Sequence, residues 1–211
     1  MIKGAVLGSP INHSLSPRLH TALFQILEIE GVYEAIEVKS GELVDFFKDR
    51  RDEFDYLSLT MPLKEKALTL DVSIDDATKR IQSANTLVNR SGNWSLSSTD
   101  GSGFIQALAH KGLNKFSSVL ILGAGGTARA VAGALDTVST SITVLGRSST
   151  REDALSQAIQ NADFSYRRWQ QSIDFDEFDL VVNTTPAGAA DLLAENVPHK
   201  TNTPLFDVIY K

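Results

Sequence analysis

A glycine turn set between an apolar run and a helical pattern constrains this chain more than any other feature. Val119-Leu120-Ile121-Leu122 is apolar without alternation, the pattern of a strand covered on both faces in a parallel sheet. It runs straight into Gly123-Ala124-Gly125-Gly126-Thr127-Ala128, a G-x-G-x-x-A turn that opens a helix. In such a turn Gly123 permits the tight bend, Gly125 lets a pyrophosphate approach the backbone, and Ala128 lets the helix lie close to its strand. Amide groups at the start of the helix then face the phosphates. A second strand, Ile142-Thr143-Val144-Leu145, follows, and its end would carry an acid in a site for an unphosphorylated dinucleotide. Here Gly146-Arg147-Ser148-Ser149-Thr150-Arg151 stands instead. Guanidiniums and hydroxyls suit a 2′-phosphate, because arginine grips oxyanions with a planar fork, and the pattern predicts an NADP site. The competing reading is a Rossmann-like domain without nucleotide, whose arginines are merely solvated.

The rest of the composition narrows the partners. A chain of 211 residues holds two modest α/β domains or one large one. Apolar residues at 42% and charged residues at 22% describe an ordinary globular protein. No apolar run is long enough to cross a bilayer and no charged-then-apolar leader opens the chain, so a cytoplasmic protein is expected. The absence of cysteine excludes disulfides and thiolate nucleophiles, and leaves redox chemistry to a bound cofactor. A formal net charge of -6 offers no field to gather nucleic acid or anionic lipid, which favours a small-molecule partner. His13, His20, His110 and His199 lack the short spacings of metal ligands, and no metal is expected.

The first hundred residues alternate strand and helix patterns of their own. Ile2 to Leu7 reads as a strand, and a helix follows from Pro17 with Leu19, Ala22, Leu23, Ile26 and Leu27 on one face. Ser16 is its expected cap, with proline in the first turn. Strands are predicted over Val32 to Val38 and Tyr56 to Leu59, and a helix over Gly41 to Asp49. Short helices follow Pro62 and span Asp75 to Gln82; a hairpin then joins Thr86–Asn89 to Trp94–Leu96. A helix from about Gly101 to Lys111 leads into the glycine-turn half, where a helix over Asp153 to Gln160 and strands at Leu180–Asn183 and Leu205–Val208 complete the pattern. The expectation is a two-domain α/β protein: an amino-terminal α/β substrate domain over residues 1–101 and a Rossmann-like, doubly wound NADP domain over 102–211, with the active cleft between them.

Polar clusters sit where strands or hairpins give way to loops and helices, the usual place of ligand contacts. They are Asn12 to Pro17, Ser58 to Lys64, Ser83 to Thr86 and Ser98 to Phe104, with Asp76 standing alone. Hydroxyls, a carboxamide, one ammonium and one carboxylate suit a small polyhydroxylated acid. Each has a plainer reading. Ser16 and Asp100 serve equally as helix caps, Lys64 as a solvated lysine, and Asn85 as a partner for backbone groups. Spacing alone does not bring Lys64 and Asp100 together.

At these clusters the chain closely resembles the shikimate dehydrogenase family, whose members interconvert shikimate and 3-dehydroshikimate with NADP. The resemblance covers essentially the whole chain and rests on ordered motifs: Ser14-Leu15-Ser16-Pro17, Thr60-Met61-Pro62-Leu63-Lys64, Ala84-Asn85-Thr86, Thr99-Asp100-Gly101-Ser102-Gly103, the glycine turn, Arg147 to Arg151, Asn183-Thr184-Thr185-Pro186 and Asp207-Val208-Ile209-Tyr210. It implies that Ser14 and Ser16, aided by Tyr210, hold the substrate carboxylate, and that Thr60, Asn85 and Asp100 bind ring hydroxyls. Lys64 is implied as the proton acceptor with Asp100 beside it. The cofactor is implied at Gly123, Ala124, Gly125, Gly126 and Thr127, at Gly146, Arg147, Ser148, Ser149, Thr150 and Arg151, and near Val208, with Asp76 a weaker candidate. Two departures stand out: Ser58 and Gly146 each replace a commoner asparagine. The family's carboxyl-terminal return segment is expected to be absent. The remaining alternatives are a quinate or quinate/shikimate enzyme of the same family and a non-catalytic module that binds substrate or cofactor; a homodimer is compatible with either.

Overall fold

The structure, a computed structural model, describes residues 1–169, 173–195 and 201–209, and the chain divides into two units, Met1–Thr99 and Asp100–Lys211. In the first unit the order is β1 (Ile2–Gly8), α1 (Ser16–Ile26), β2 (Gly31–Glu37), α2 (Leu43–Arg50), β3 (Tyr56–Leu59), α3 (Leu63–Lys66), β4 (Ser73–Ile74), α4 (Asp76–Ile81), β5 (Thr86–Arg90) and β6 (Asn93–Ser97). These strands form one sheet in the order β2-β1-β3-β5-β6-β4. β1 runs parallel to both β2 and β3, whereas β5 is antiparallel to β3 and to its hairpin partner β6.

Alternation along the strands builds two different faces. Ala5 and Leu7 of β1, Leu57 and Leu59 of β3, Leu87 of β5 and Leu96 of β6 point to one side, where Leu43, Phe47, Leu63 and Trp94 complete the larger core. The opposite side is more sparsely filled, with Val6, Ile11 and Tyr33 buried and Phe24 and Tyr56 packed against them.

α1 departs from expectation in two ways. The helix forms where the 3.6-residue period predicts it, but Leu19, Leu23, Ile26 and Leu27 are exposed, Ile26 at 75%, and none of its residues is buried. His20 and Phe24 face inward instead: His20 stacks on Tyr33 with ring centroids 3.9 Å apart, and Phe24 lies over Gly31, where a Cβ would approach its ring to 2.8 Å. The apolar row is thus rotated about one residue, roughly 100°, away from the side that meets the sheet. Ser16 is not the cap. Leu15 precedes the helix in αR geometry, so no extended residue presents a side chain to the first-turn amides, and the hydroxyl of Ser14 accepts the Ser16 amide at 3.3 Å.

The second unit contains α5 (Asp100–His110), β7 (Phe116–Leu122), α6 (Gly126–Leu135), β8 (Ser139–Gly146), α7 (Glu152–Ala158), β9 (Asp163–Arg168), β10 (Leu180–Asn183), α8 (Asp191–Ala194) and β11 (Leu205–Asp207). Its five strands are all parallel, in the order β11-β10-β7-β8-β9. Both faces are covered, as non-alternating strands require. Val119, Ile121, Ile142, Val144, Leu180 and Val182 meet Phe104 and Leu108 of α5 and Val131 and Leu135 of α6 on one side; Leu120, Leu122, Leu145 and Val181 meet Phe175, Phe178 and Leu193 on the other. α5 joins this unit from its first turn, because Gly101 lies so close to α6 that a Cβ would stand 2.8 Å from the Ala130 carbonyl oxygen.

A buried acid fixes the link from α7 to β9, a strand that the sequence reading left out. Asp136, at the end of α6, accepts the amides of Gln160, Asn161 and Ala162 at 2.9, 2.8 and 3.0 Å and the Asn161 carboxamide at 2.7 Å. Burial alone would push its carboxyl upward, but these four donors outweigh that effect and hold it below the ordinary carboxylate value.

Candidate functional site

In the second unit the glycine turn joins β7 to α6. Gly123 has a φ of +104°, a conformation that side-chain-bearing residues rarely adopt, and a Cβ there would lie 2.7 Å from the Thr184 hydroxyl. At Gly125 a Cβ would meet only the Arg151 Nη1, at 3.9 Å, so the backbone is open on the side a phosphate would approach. Gly125 precedes α6 in extended geometry and no side chain caps the helix. Its amino end therefore presents main-chain donors and the positive end of the helix dipole to a phosphate.

The arginine loop borders this turn. Arg151 Nη1 donates to the Ala124 carbonyl at 3.5 Å, which brings the loop after β8 onto the loop after β7. The Ser148 hydroxyl accepts the Thr150 amide at 3.3 Å and lies 3.0 Å from the Thr150 hydroxyl, rounding the loop so that Arg147, Ser149 and Arg151 are exposed. An open backbone, an uncapped helix of ten residues and a hydroxyl-rich loop with two guanidiniums fit a phosphorylated dinucleotide.

The segment Asn183-Thr184-Thr185 supports the turn from beneath, through contacts that the sequence reading did not assign. Thr184 donates its hydroxyl to the Leu122 carbonyl at 2.8 Å, and Asn183 Oδ1 accepts the Thr185 amide and hydroxyl at 3.1 and 2.7 Å. Asn183 Nδ2 reaches Asp207 at 3.3 Å, and the Val208 amide donates to the Asn183 carbonyl at 3.1 Å. Val208 thus follows β11 directly, at the carboxyl ends of the parallel strands, where open α/β sheets place their ligands.

Ser14, Ser16, Thr60, Lys64 and Asn85 all lie in the first unit. Thr60 leaves β3 with its amide on the Leu7 carbonyl at 2.9 Å, and its methyl lies so close to Gly8 that a Cβ there would overlap it. Lys64 follows one turn on, half-buried in α3, with its carbonyl accepting the Ala84 amide at 2.9 Å; this contact ties the Lys64 helix to the Ala84-Asn85-Thr86 segment. Asn85 Oδ1 accepts the Thr99 amide at 2.9 Å and the Thr86 hydroxyl at 2.8 Å, while its Nδ2 donates to the Thr99 hydroxyl at 3.1 Å. Asn85 therefore does satisfy backbone, and it anchors the residue before Asp100. Asp100 is half-buried as the first residue of α5 and belongs to the second unit.

Asp76, the first residue of α4, is fully exposed and pairs with Lys79 at 3.4 Å. Its neighbour Asp75 is the cap, accepting the Thr78 amide at 2.7 Å. Tyr210 lies outside the described residues. Among the described residues no three acids or histidines are grouped as metal ligands, and no helix is long and apolar enough to cross a membrane.

A polar column runs down the α1 side of the sheet behind Thr60. Tyr33 donates its hydroxyl to Ser58 at 2.7 Å, and the Tyr56 hydroxyl lies 2.7 Å from His20 Nδ1. Burial, reinforced by Tyr33 and Asp55, pushes the Tyr56 phenol up to about 12, and burial lowers His20. A protonated phenol facing a neutral imidazole follows, with Tyr56 donating and Nδ1 accepting. Ser58 Oγ is thus an acceptor for Tyr33, where the commoner asparagine would project further.

A two-unit α/β protein with a glycine-turn nucleotide fold in one unit and polar strand-end loops in the other belongs to the class of dinucleotide-dependent dehydrogenases. Comparison narrows the class. The family model described as shikimate dehydrogenase substrate binding domain matches residues 6–87, and the one described as shikimate / quinate 5-dehydrogenase matches residues 107–207. The shikimate dehydrogenase (NADP(+)) of Staphylococcus epidermidis is 36% identical over 191 residues, covering 89% of this chain and 68% of that protein. The crystal structure of shikimate 5-dehydrogenase from Thermus thermophilus in complex with shikimate superposes with a TM-score of 0.83 at 34% identity, covering 100% of this chain and 78% of that one. The same enzyme in complex with NADP(H) and shikimate gives 0.76 at 32%, covering 92% and 75%. The chain belongs to the shikimate dehydrogenase family.

Proposed function

We propose that this chain interconverts shikimate and 3-dehydroshikimate with NADP as redox partner, a step toward aromatic amino acids. The observation that carries the cofactor half is the contact of Arg151 with the Ala124 carbonyl, which lines a guanidinium loop along an open glycine turn. Family membership carries the substrate half. NADP, when bound, takes or returns the hydride at the ring carbon. Lys64 accepts the proton of the hydroxyl that becomes the ketone, and returns it in the reverse direction. Ser14 and Ser16, with Tyr210, hold the carboxylate of the substrate; Thr60, Asn85 and Asp100 take its ring hydroxyls. Gly123 to Thr127 hold the pyrophosphate, Gly146 to Arg151 the adenosine phosphate, and Val208 borders the nicotinamide. Asp76 is a peripheral contact at most, since its carboxylate is engaged by Lys79.

The cytoplasm, where the NADP pool lies, is the proposed place of work. Self-association as a homodimer belongs to the same reading and is supported by the exposed leucine row of α1. The test is to mix the purified chain with shikimate and NADP and follow reduced nicotinamide by absorbance, with quinate and NAD as controls. Reduction with shikimate and NADP is expected. Binding of both ligands without reduction would leave a binding module, and preference for quinate would move the chain to the sister activity.

A further inference from the structure

The departure at position 146 has a structural counterpart on the neighbouring strand. Gly146 ends β8 and is buried, and a Cβ added there would overlap the phenol oxygen of Tyr166 and stand 2.6 Å from its Cζ. Tyr166 lies on β9 in register with Val144, and Gly146 pairs with Arg168 at the end of the same ladder. The phenol therefore passes over the place where other residues would carry a side chain. Beyond it, the hydroxyl donates to the Ser148 carbonyl at 2.6 Å, in the middle of the arginine loop. The main chain is fastened on the same side, because the Trp169 amide donates to the Gly146 carbonyl at 2.9 Å. Arg147, between these two fixed carbonyls, is exposed and has no hydrogen-bond or ion-pair partner among the described residues.

We propose that Tyr166 is a positioning residue for cofactor selection: its hydroxyl, which reaches the Ser148 carbonyl only because residue 146 is glycine, sets the loop so that Arg147 addresses the 2′-phosphate. The inference rests on the NADP reading of the site. The carbonyls of Gly146 and Ser148 flank Arg147, and each is held from the β9 side, so the direction in which the guanidinium leaves the backbone is fixed before any ligand arrives. Such pre-organisation lowers the ordering cost of binding. It acts on the phosphorylated dinucleotide alone, because NAD offers the arginine nothing to grip. Burial keeps the phenol above its ordinary value despite the nearby Arg151 and Arg168, so the hydroxyl remains a donor at neutral pH.

The experiment measures dissociation constants of NADP and NAD by calorimetry on the full chain and on Tyr166→Phe, Gly146→Ala and the double variant, with thermal melts to verify folding. The wild-type ratio is read first: equal affinity for the two nucleotides would overturn the phosphate reading, and this inference with it. With a wild-type preference for NADP in hand, Tyr166→Phe, which keeps the ring and loses the donor, is expected to weaken NADP roughly tenfold and NAD by less than about twofold. Gly146→Ala, which displaces the phenol, is expected to cost a similar factor, and the double variant no more than either single one. A loss shared by both nucleotides marks a merely structural tyrosine and overturns the inference. Unchanged NADP affinity in Tyr166→Phe, or independent losses that multiply in the double variant, would do so as well.

Discussion

Lys64 sits in the first turn of a four-residue helix tied by its own carbonyl to the Ala84 amide, so its backbone is fixed to the same segment that carries Asn85. Replacing it with alanine removes the ammonium and leaves that tie intact. Turnover is expected to fall roughly a hundredfold or more with NADP affinity unchanged, as for loss of a general base; surviving turnover in stopped-flow assays would take the proton role away from Lys64. Asp136 carries weight of another kind. Asp136→Ala strands four donors that now point at one carboxylate, and should destabilise the second unit by about 3 kcal/mol, read from denaturant midpoints. Because the folded state holds this carboxyl below its unfolded value near 3.9, its contribution is present above that pH and is lost as pH falls through the lower folded value. An acid limb in the stability profile that persists unchanged in Asp136→Ala would refute this assignment.

At the scale of elements, α1 shows what sequence conveys and what it withholds. The 3.6-residue period announces a helix, and the helix is there; the period does not say what the apolar row meets, and on this chain the row faces outward. His20 and Phe24 do the packing because the tyrosines of β2 and β3 and the glycines of β1 and β2 leave room for rings, a match that only pairing across strands creates. Ser14 rather than Ser16 stabilises the helix entry, since backbone angles at Leu15 decided it. The glycine turn was legible because each of its residues answers a local demand. β9 was not, because an edge strand with only Phe164 and Tyr166 half-buried resembles a polar loop. Tyr166 is hidden in the sequence for the same reason, its one signal being the glycine at 146. The pairing of Asn85 with Thr99 also lay beyond spacing arguments, since a hairpin brings the two together. On the homodimer proposal, the chain should self-associate with rising concentration in sedimentation, and Leu19→Glu with Leu23→Glu should abolish this without altering the helical signal. A monomer at all concentrations would remove the proposal, and association that survives the substitutions would locate the interface elsewhere.

At the scale of the molecule, the units Met1–Thr99 and Asp100–Lys211 each own a buried cluster, Leu7 to Leu96 in the one and Phe104 to Val182 in the other. Units with separate cores respond separately to ligands that stabilise only one of them. NADP at a hundredfold excess over its dissociation constant should add about 2.7 kcal/mol to the second unit and leave the first nearly untouched. Calorimetric scans with and without NADP would show two transitions of which one shifts; a single transition moved as a whole would mean that the units melt as one.

The outermost strands of the two sheets are short or carry charge. β2 presents Glu34 and Glu37, β4 is two residues long, β9 ends in paired arginines and β11 spans only three residues. Rims of this kind make poor templates for a foreign strand to zip onto. Clumping of heated or crowded protein should therefore begin at greasy helical surface and yield amorphous precipitate, while fibrils built by stacking these sheets rim to rim should not grow.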